Sequence, residues 1–467
     1  MNFIFFGRLA KEKGFDLLVR SLENIMQKTG ELPGNFFLFG EGDLQEMLFQ
    51  AFGESPFFED CSGLTPAEIA DKIELLETSE EGEECKIYFF GWQSLSTIRG
   101  VLEVSHFSLM PSRFLETFGL SALESLSEGV PVMGFRKGGL IPFISQELAV
   151  PFSASDEENI EAFSNTIVEI SEKYSSFSSL MGEKESDWDA LSHESRRIAD
   201  SYTEGRWIRQ VREMLPSNTK RILLASDYTT LLGGIETHVQ TIARTLRQHG
   251  YEVEIFGWNL PKGRFSKVLR LVGLVYSLCN ISSVWSIRRK IREFKPDVIW
   301  LHSVSRFLGP LVVREVVNWG KDKKNYVKHE ISQKRSNLNE KGEPEGTVRD
   351  STVNEETEFG SQRTSFSEIS TLVTYHDLGL FSPFPSEVES EAMISKNPRL
   401  GAFLFSVRSK NPIMYLATYC KYFQVCILRK LLKKIHVHIV PSAFLVPHIR
   451  DIEEVPEEQI VVLEHFL

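Results

Sequence analysis

The chain has 467 residues, 42% hydrophobic and 25% charged, which suits two globular domains and excludes a single small core or a disordered polymer. Its net charge of −12 is unevenly spread: residues 1–217 carry 37 acidic and 18 basic side chains (−19), residues 218–467 carry 27 and 34 (+7). The acidic first half argues against a nucleic-acid partner, while the basic second half suits a solvated face, an anionic acceptor or a membrane surface.

The five cysteines (Cys61, Cys85, Cys279, Cys420, Cys426) are odd in number and form no C-x-x-C pair. That argues against a disulfide framework or zinc site, and for a reducing compartment such as the cytoplasm. The opening MNFIFFGRL enters a strand pattern at once, so no signal peptide is expected.

In the first half, apolar runs at Phe3–Phe6, Phe36–Phe39, Ile87–Phe90, Phe107–Met110 and Val130–Gly134 each stop near Gly or Pro and precede a helical pattern. Short buried strands alternating with helices predict a doubly wound parallel sheet. Residues 188–215 read as two terminal helices, and PSNTK at 216–220 reads as a linker.

Ligands of such sheets bind outside the carboxyl ends of the strands, and three motifs fall there. GRLAKEKG (7–14) follows the first strand and offers Arg8 and Lys13, two cations suited to a diphosphate, although strand-end cations are ordinarily just solvated. FGEGDL (39–44) supplies Gly40 and Gly42 for a tight turn that lets backbone approach a ligand.

The third motif, PSRFLETFGLSALESLSEGVPVMGFRKGG (111–139), is the most informative. A helix is expected to begin near Phe118–Gly119 and stop at Gly129, so the N–H groups of Phe118, Gly119 and Leu120 make a ready anion site. Glu116 stands just before that terminus and Glu124 two turns into the helix, serving different parts of one extended ligand. A carboxylate there accepts hydrogen bonds from sugar hydroxyls; no His or Asp neighbours complete a metal set. An exposed acidic helix with a good cap is the plainer alternative.

The second half restarts the pattern. Arg221–Ala225 is a strand, the loop to Gly234 is Gly-rich, and Ile235–His249 is an amphipathic helix closed by Gly250. Further strands are expected at Glu252–Phe256, Asp297–His302, Thr371–His376 and Val437–Val440. The polar stretch 321–370 lacks apolar periodicity and reads as a mobile insertion. Lys262–Phe294 holds about 17 apolar-rich residues between basic flanks, too short and polar for a membrane span. It reads as a packed helix, with interfacial membrane contact as the alternative. His302 and His376 fall at strand ends; His302 and His238 are read as structural.

Taken in order, GRL-x3-KG, G-x-GD, FFGW, PS-x3-E-TFGL-x3-E, GVPV and GG resemble the nucleotide-binding domain of the retaining GT-B enzymes called group 1 (family 4) glycosyltransferases. The resemblance covers nearly all of 1–215, and RILLASDYTTLLGGIETHVQTIARTL resembles the start of the acceptor-side domain. It implies a GT-B-like α/β fold: two Rossmann-like domains, 1–215 and 221–467, facing a cleft. It also implies donor-diphosphate binding by Arg8 and Lys13, with backbone amides of Phe118, Gly119 and Leu120, and with Gly42 in the donor site. Glu116 would hold the donor sugar as a catalytic residue, Glu124 the ribose, and His376 would stand by the sugar and acceptor. Gly233 and Gly234 would bring their loop to the phosphates and acceptor. After Gly138-Gly139 the family shows an acidic residue within a few positions, whereas LIPFI follows here.

In that family the acceptor-side domain comes first, so this chain reads as circularly permuted at the hinge, or as a fusion of two halves. The expected function is retaining hexosyl transfer from a nucleoside-diphosphate sugar to an acceptor hydroxyl on a glycan, a lipid-linked saccharide or a small molecule. No cofactor or metal is expected, and a lipid-linked acceptor would bring peripheral contact with the inner face of a membrane. The alternative is a non-catalytic nucleotide-sugar-binding or scaffold protein.

Overall fold

The computed structural model describes residues 1–78, 84–175, 187–229, 234–259, 280–305, 307–323, 369–379, 388–389, 394 and 412–467. Its strands form two parallel sheets. The first contains β1 (Asn2–Phe6), β2 (Asn35–Phe39), β3 (Phe58–Asp60), β4 (Ile87–Gly91), β5 (Phe107–Met110), β6 (Val132–Phe135) and β7 (Ala149–Val150). Their order across the sheet is β3-β4-β2-β1-β5-β6-β7. The sequence pattern misses β3 and β7, which are too short to show a period of two.

Alternate residues of these strands feed two separate cores. Phe3, Phe5, Phe36 and Leu38 point into one, and Ile4, Phe6, Phe37 and Phe39 into the other. The register Phe3↔Phe36 stacks those rings at 4.9 Å, and Phe39 stacks on Phe90 at 4.8 Å. A sheet buried on both faces needs continuous apolar strands, which is why NFIFF and NFFLF show no polar alternation. Each fully buried Phe contributes roughly 1.5–3 kcal/mol.

The second sheet contains β8 (Arg221–Tyr228), β9 (Glu252–Trp258), β10 (Val298–Ser303), β11 (Thr371–Thr374), β12 (Val437–Val440) and β13 (Ile460–Val462), ordered β13-β12-β11-β10-β8-β9. Leu223, Ala225, Ile299 and Leu301 face one core; Ile222, Leu224, Val298 and Trp300 face the other. The expected helix after β8 runs Gly234–Gln248. Of the apolar stretch, Ile281–Phe294 is a helix whose N-cap Asn280 accepts from Ser283 N–H at 3.0 Å. Residues 260–279, and most of the polar insertion (324–368), lie outside the described residues. No helix among the described residues is long and apolar enough to cross a membrane.

Strand order fixes where each sheet opens. In the first, the chain winds one way from β1 through β2 and the other way from β1 to β5, so the crevice lies beyond the carboxyl ends of β1 and β5. In the second the same reversal occurs between β8 and β10. The helix Glu204–Met214 crosses from the first half to the second: Trp207 stacks on Trp300 at 6.3 Å and meets Phe466 at 4.9 Å. Arg206 pairs with Glu464 at 3.4 Å.

His106 stands just before β5. It accepts from Asn2 N–H at Nδ1 (3.1 Å), its ring lies 5.6 Å from that of Trp188, and burial pulls its pKa down to about 4. The unfolded chain, near 6.5, takes the proton first. Its contribution to stability is therefore intact above about pH 6.5 and lost as pH falls towards 4. Denaturant titrations between pH 7.5 and 4.5 are expected to show a loss that is shallower in His106→Gln.

Candidate functional site

The loops after β1 and β5 meet at the first sheet's crevice. Gly14, at φ 68°, lies so close to Pro111 that a Cβ would stand 1.7 Å from its carbonyl oxygen; only glycine fits there. Arg113 N–H donates to Glu12 O at 2.9 Å. The Arg113 side chain is 4% exposed and bridges two carboxylates. Its Nε and Nη2 donate to Asp16 (3.2 and 2.7 Å) and its Nη1 to Asp156. The guanidinium beside Asp156 holds that carboxyl below its usual range.

This clamp fixes the segment that carries Glu116. Lys13 Nζ and Ser112 Oγ donate to Glu116 Oε1 at 2.5 and 3.0 Å, so the structure brings the predicted Lys13 and Glu116 together as an ion pair. Arg8 is not drawn in: it is 65% exposed and pairs with Glu12 at 2.6 Å. A Cβ on Gly42 would strike the backbone of Leu9 at 2.4 Å, so the glycine lets one loop lie on another. Leu44 N–H then donates to Leu9 O at 3.0 Å.

The helix expected after Thr117 runs Leu120–Ser127, with Gly119 as N-cap at φ 106° and no side-chain acceptor on the cap. Its first amides lack the usual Ser, Thr, Asn or Asp partner, so no side-chain cap competes for the positive end of the helix. Phe118 is buried, edge-on to Phe143, Tyr202 and His465. Gly139 N–H donates to Glu116 O at 2.7 Å. In the LIPFI segment, Leu140, Phe143 and Ile144 join the core beside Phe118, so apolar packing stands where the resembled family has its acid. Glu124 is half-buried on the helix, and desolvation pushes its carboxyl up to about 7 against the nearby Arg99.

The second half grips the same segment. Leu115 is buried in the second half's core and donates from its N–H to Val388 O at 2.6 Å. Thr117 Oγ1 donates to His376 O at 2.8 Å, and Ser442 Oγ donates to Thr117 O at 2.6 Å. Lys137 Nζ donates to Arg113 O and, across the junction, to Glu389 O at 3.0 Å. Burial pulls the Lys137 ammonium down to about 7. Arg113, Thr117, Lys137 and Ser442 all escaped the sequence reading. Arg113 and Lys137 lie inside the third motif, but nothing local separates a clamp from a solvated strand-end cation.

At the second sheet's crevice, Asp227 at the end of β8 accepts from Phe307 and Leu308 N–H, both at 2.8 Å, and from Ser303 Oγ at 2.9 Å. His302 Nδ1 and His376 Nε2 share a hydrogen bond of 3.0 Å. Both line a small, partly open crevice with Ile235, Ser303, Tyr375 and Asp377. His238, read as structural, packs 3.8 Å from His465, ring centre to ring centre. Gly234 opens its helix, and Gly233 lies outside the described residues.

Residues 1–173 match the family described as "Glycosyl transferases group 1", and residues 232–321 the one described as "Glycosyltransferase Family 4". A curated relative, an uncharacterized glycosyltransferase of Methanocaldococcus jannaschii, is 26% identical over 146 residues, covering 31% of this chain and 30% of the relative. The chain thus spans under a third of that relative's length. Among solved structures, the pneumococcal O-GlcNAc transferase GtfA in complex with UDP and GlcNAc is 22% identical, covering 45% of this chain and 35% of that one (TM-score 0.31). The catalytic domain of cholesterol-alpha-glucosyltransferase from Helicobacter pylori is 14% identical, covering 43% and 99% (TM-score 0.28).

Removing one member of a buried ion cluster strands the others. Arg113→Ala is expected to lower stability by about 3 kcal/mol, from the denaturation midpoint, and Arg197→Ala, in an exposed pair, to leave that midpoint nearly unchanged.

Proposed function

We propose that this protein is a glycosyltransferase that moves a sugar from a nucleoside-diphosphate sugar to an acceptor hydroxyl with retention. The observation that carries this reading is the Lys13–Glu116 pair beside the uncapped terminus of helix Leu120–Ser127, with His376 supplied by the other half. The two glycosyltransferase family matches, one in each half, support it.

The donor diphosphate lies over the amides of Phe118, Gly119 and Leu120. Lys13 leaves Glu116 for the phosphates, and Arg8, exposed and mobile on its stem, swings from Glu12 to join it. Glu116, released, accepts hydrogen bonds from the sugar hydroxyls. Glu124, two turns on, takes the ribose. The bond from the anomeric carbon to the diphosphate oxygen breaks with oxocarbenium character, and the cations and helix end stabilise the departing charge without a metal in that step. The acceptor oxygen bonds on the same face, and its proton passes to the leaving oxygen. The acceptor sits in the crevice at β10 and β11, beside His376.

The chain carries the donor-side domain first, a permuted order of the resembled family, and works in the cytoplasm. A lipid-linked acceptor agrees with Ile281 and Trp285, exposed one turn apart on the basic helix Ile281–Phe294. Transfer or hydrolysis of sugar nucleotides by the purified chain, followed by chromatography, tests the proposal. Arg8→Ala and Glu116→Ala are each expected to lower turnover about 10²–10³-fold. Equal turnover by all three would overturn the assignment, and nucleotide binding without any turnover would favour a non-catalytic binding protein.

A further inference from the structure

Three histidines far apart in the sequence converge in the second half. His238 comes from the second turn of helix Gly234–Gln248, His376 from just beyond β11, and His465 from just beyond β13. Each offers a ring nitrogen within 4.8 Å of the others. We propose that His238, His376 and His465 form a binding site for a transition-metal dication of the zinc class.

The geometry suits one ion. Imidazoles on a tetrahedral zinc, with Zn–N near 2 Å, hold their ring centres about 5 Å apart. The separations here are 5.4 Å for His238–His376, 6.0 Å for His376–His465 and 3.8 Å for His238–His465. The third is the shortest, and rotation of either ring about its Cα–Cβ and Cβ–Cγ bonds opens it. Three imidazoles with one position left to solvent or a substrate oxygen is a known zinc arrangement.

A fourth histidine completes the argument. His302 stacks on His376 at 5.2 Å and shares the Nδ1···Nε2 hydrogen bond of 3.0 Å. With His376 donating from Nε2 to His302 Nδ1, one of the two directions this hydrogen bond allows, the His376 Nδ1 lone pair is free for the ion and His302 is its outer partner. His302 then carries its own proton on Nε2, a buried atom with no hydrogen-bond partner. His238 and His465 are buried and His376 half-buried, a setting that favours the neutral imidazole, the form that ligates. With no carboxylate among the three ligands, the set favours imidazole-loving ions over Mg²⁺ or Ca²⁺.

This inference does not rest on glycosyl transfer, and its test contains no sugar nucleotide. The full chain, stripped with EDTA, is titrated with Zn²⁺, Co²⁺ and Mg²⁺ by calorimetry, with Co²⁺ also followed by visible absorption. The expected result is one Zn²⁺ or Co²⁺ per chain, tetrahedral Co²⁺ bands and no Mg²⁺ uptake. His465→Ala and His238→Ala should abolish the bands, His302→Ala should weaken affinity about 10–100-fold, and His249→Ala should change nothing. Folding of each variant is checked by circular dichroism. If a ligand variant fails to fold, the wild-type spectrum decides: octahedral or absent Co²⁺ bands overturn the proposal, as do folded variants that bind like wild type.

Discussion

The buried Arg113 guanidinium, held between Asp16 and Asp156, is the interaction on which the first half's crevice depends. It ties the loop after β5 to the helix Phe15–Thr29 and to the start of the helix Asp156–Ser175. A charge so placed is costly to desolvate and stays only because two carboxylates surround it. Its reward is positional. With Arg113 anchored, residues 114–119 leave the sheet along one path, and the Glu116 carboxylate, the Thr117 contacts and the start of the helix Leu120–Ser127 all follow from it.

The junction between the halves is built on that same path. Leu115 enters the other half's core, Thr117 exchanges hydrogen bonds with His376 and Ser442, and Lys137 reaches carbonyls on both sides. A single strand-to-helix segment is therefore shared by the two sheets. Its neighbours are polar where it faces Lys13 and apolar where Phe118 meets Phe143 and Tyr202. Movement of one half against the other must pass through these bonds, so ligand contacts near Glu116 and the relative setting of the halves are mechanically linked.

Much of this was legible in the sequence. The five strands β1, β2, β4, β5 and β6 showed as apolar runs because a sheet covered on both faces leaves no polar position along them. The helix at Leu120 showed because Gly119 and Gly129 punctuate it. Lys13 and Glu116 were identified as one site although 103 residues separate them, since both fall at strand ends that a doubly wound sheet brings together. Arg8 was identified from the same rule, yet it faces solvent and Glu12, because strand-end position sets a neighbourhood and not a side-chain direction. At Gly42 the structure adds what the turn signal alone did not show, the close approach of the Leu9 backbone.

By itself, then, the sequence determined the two-sheet α/β plan and the strand ends that meet at each crevice. Those features depend on local periodicity and on Gly and Pro punctuation, which act over a few residues. Tertiary structure alone decided that Arg113 is a clamp, that Leu115 crosses into the other half, and that His238, His302, His376 and His465 gather in one place. Such meetings join residues as far apart as Leu115 and Val388, 273 positions along the chain, and the free energy that selects them comes from cores and ion clusters that exist only once the sheets have formed.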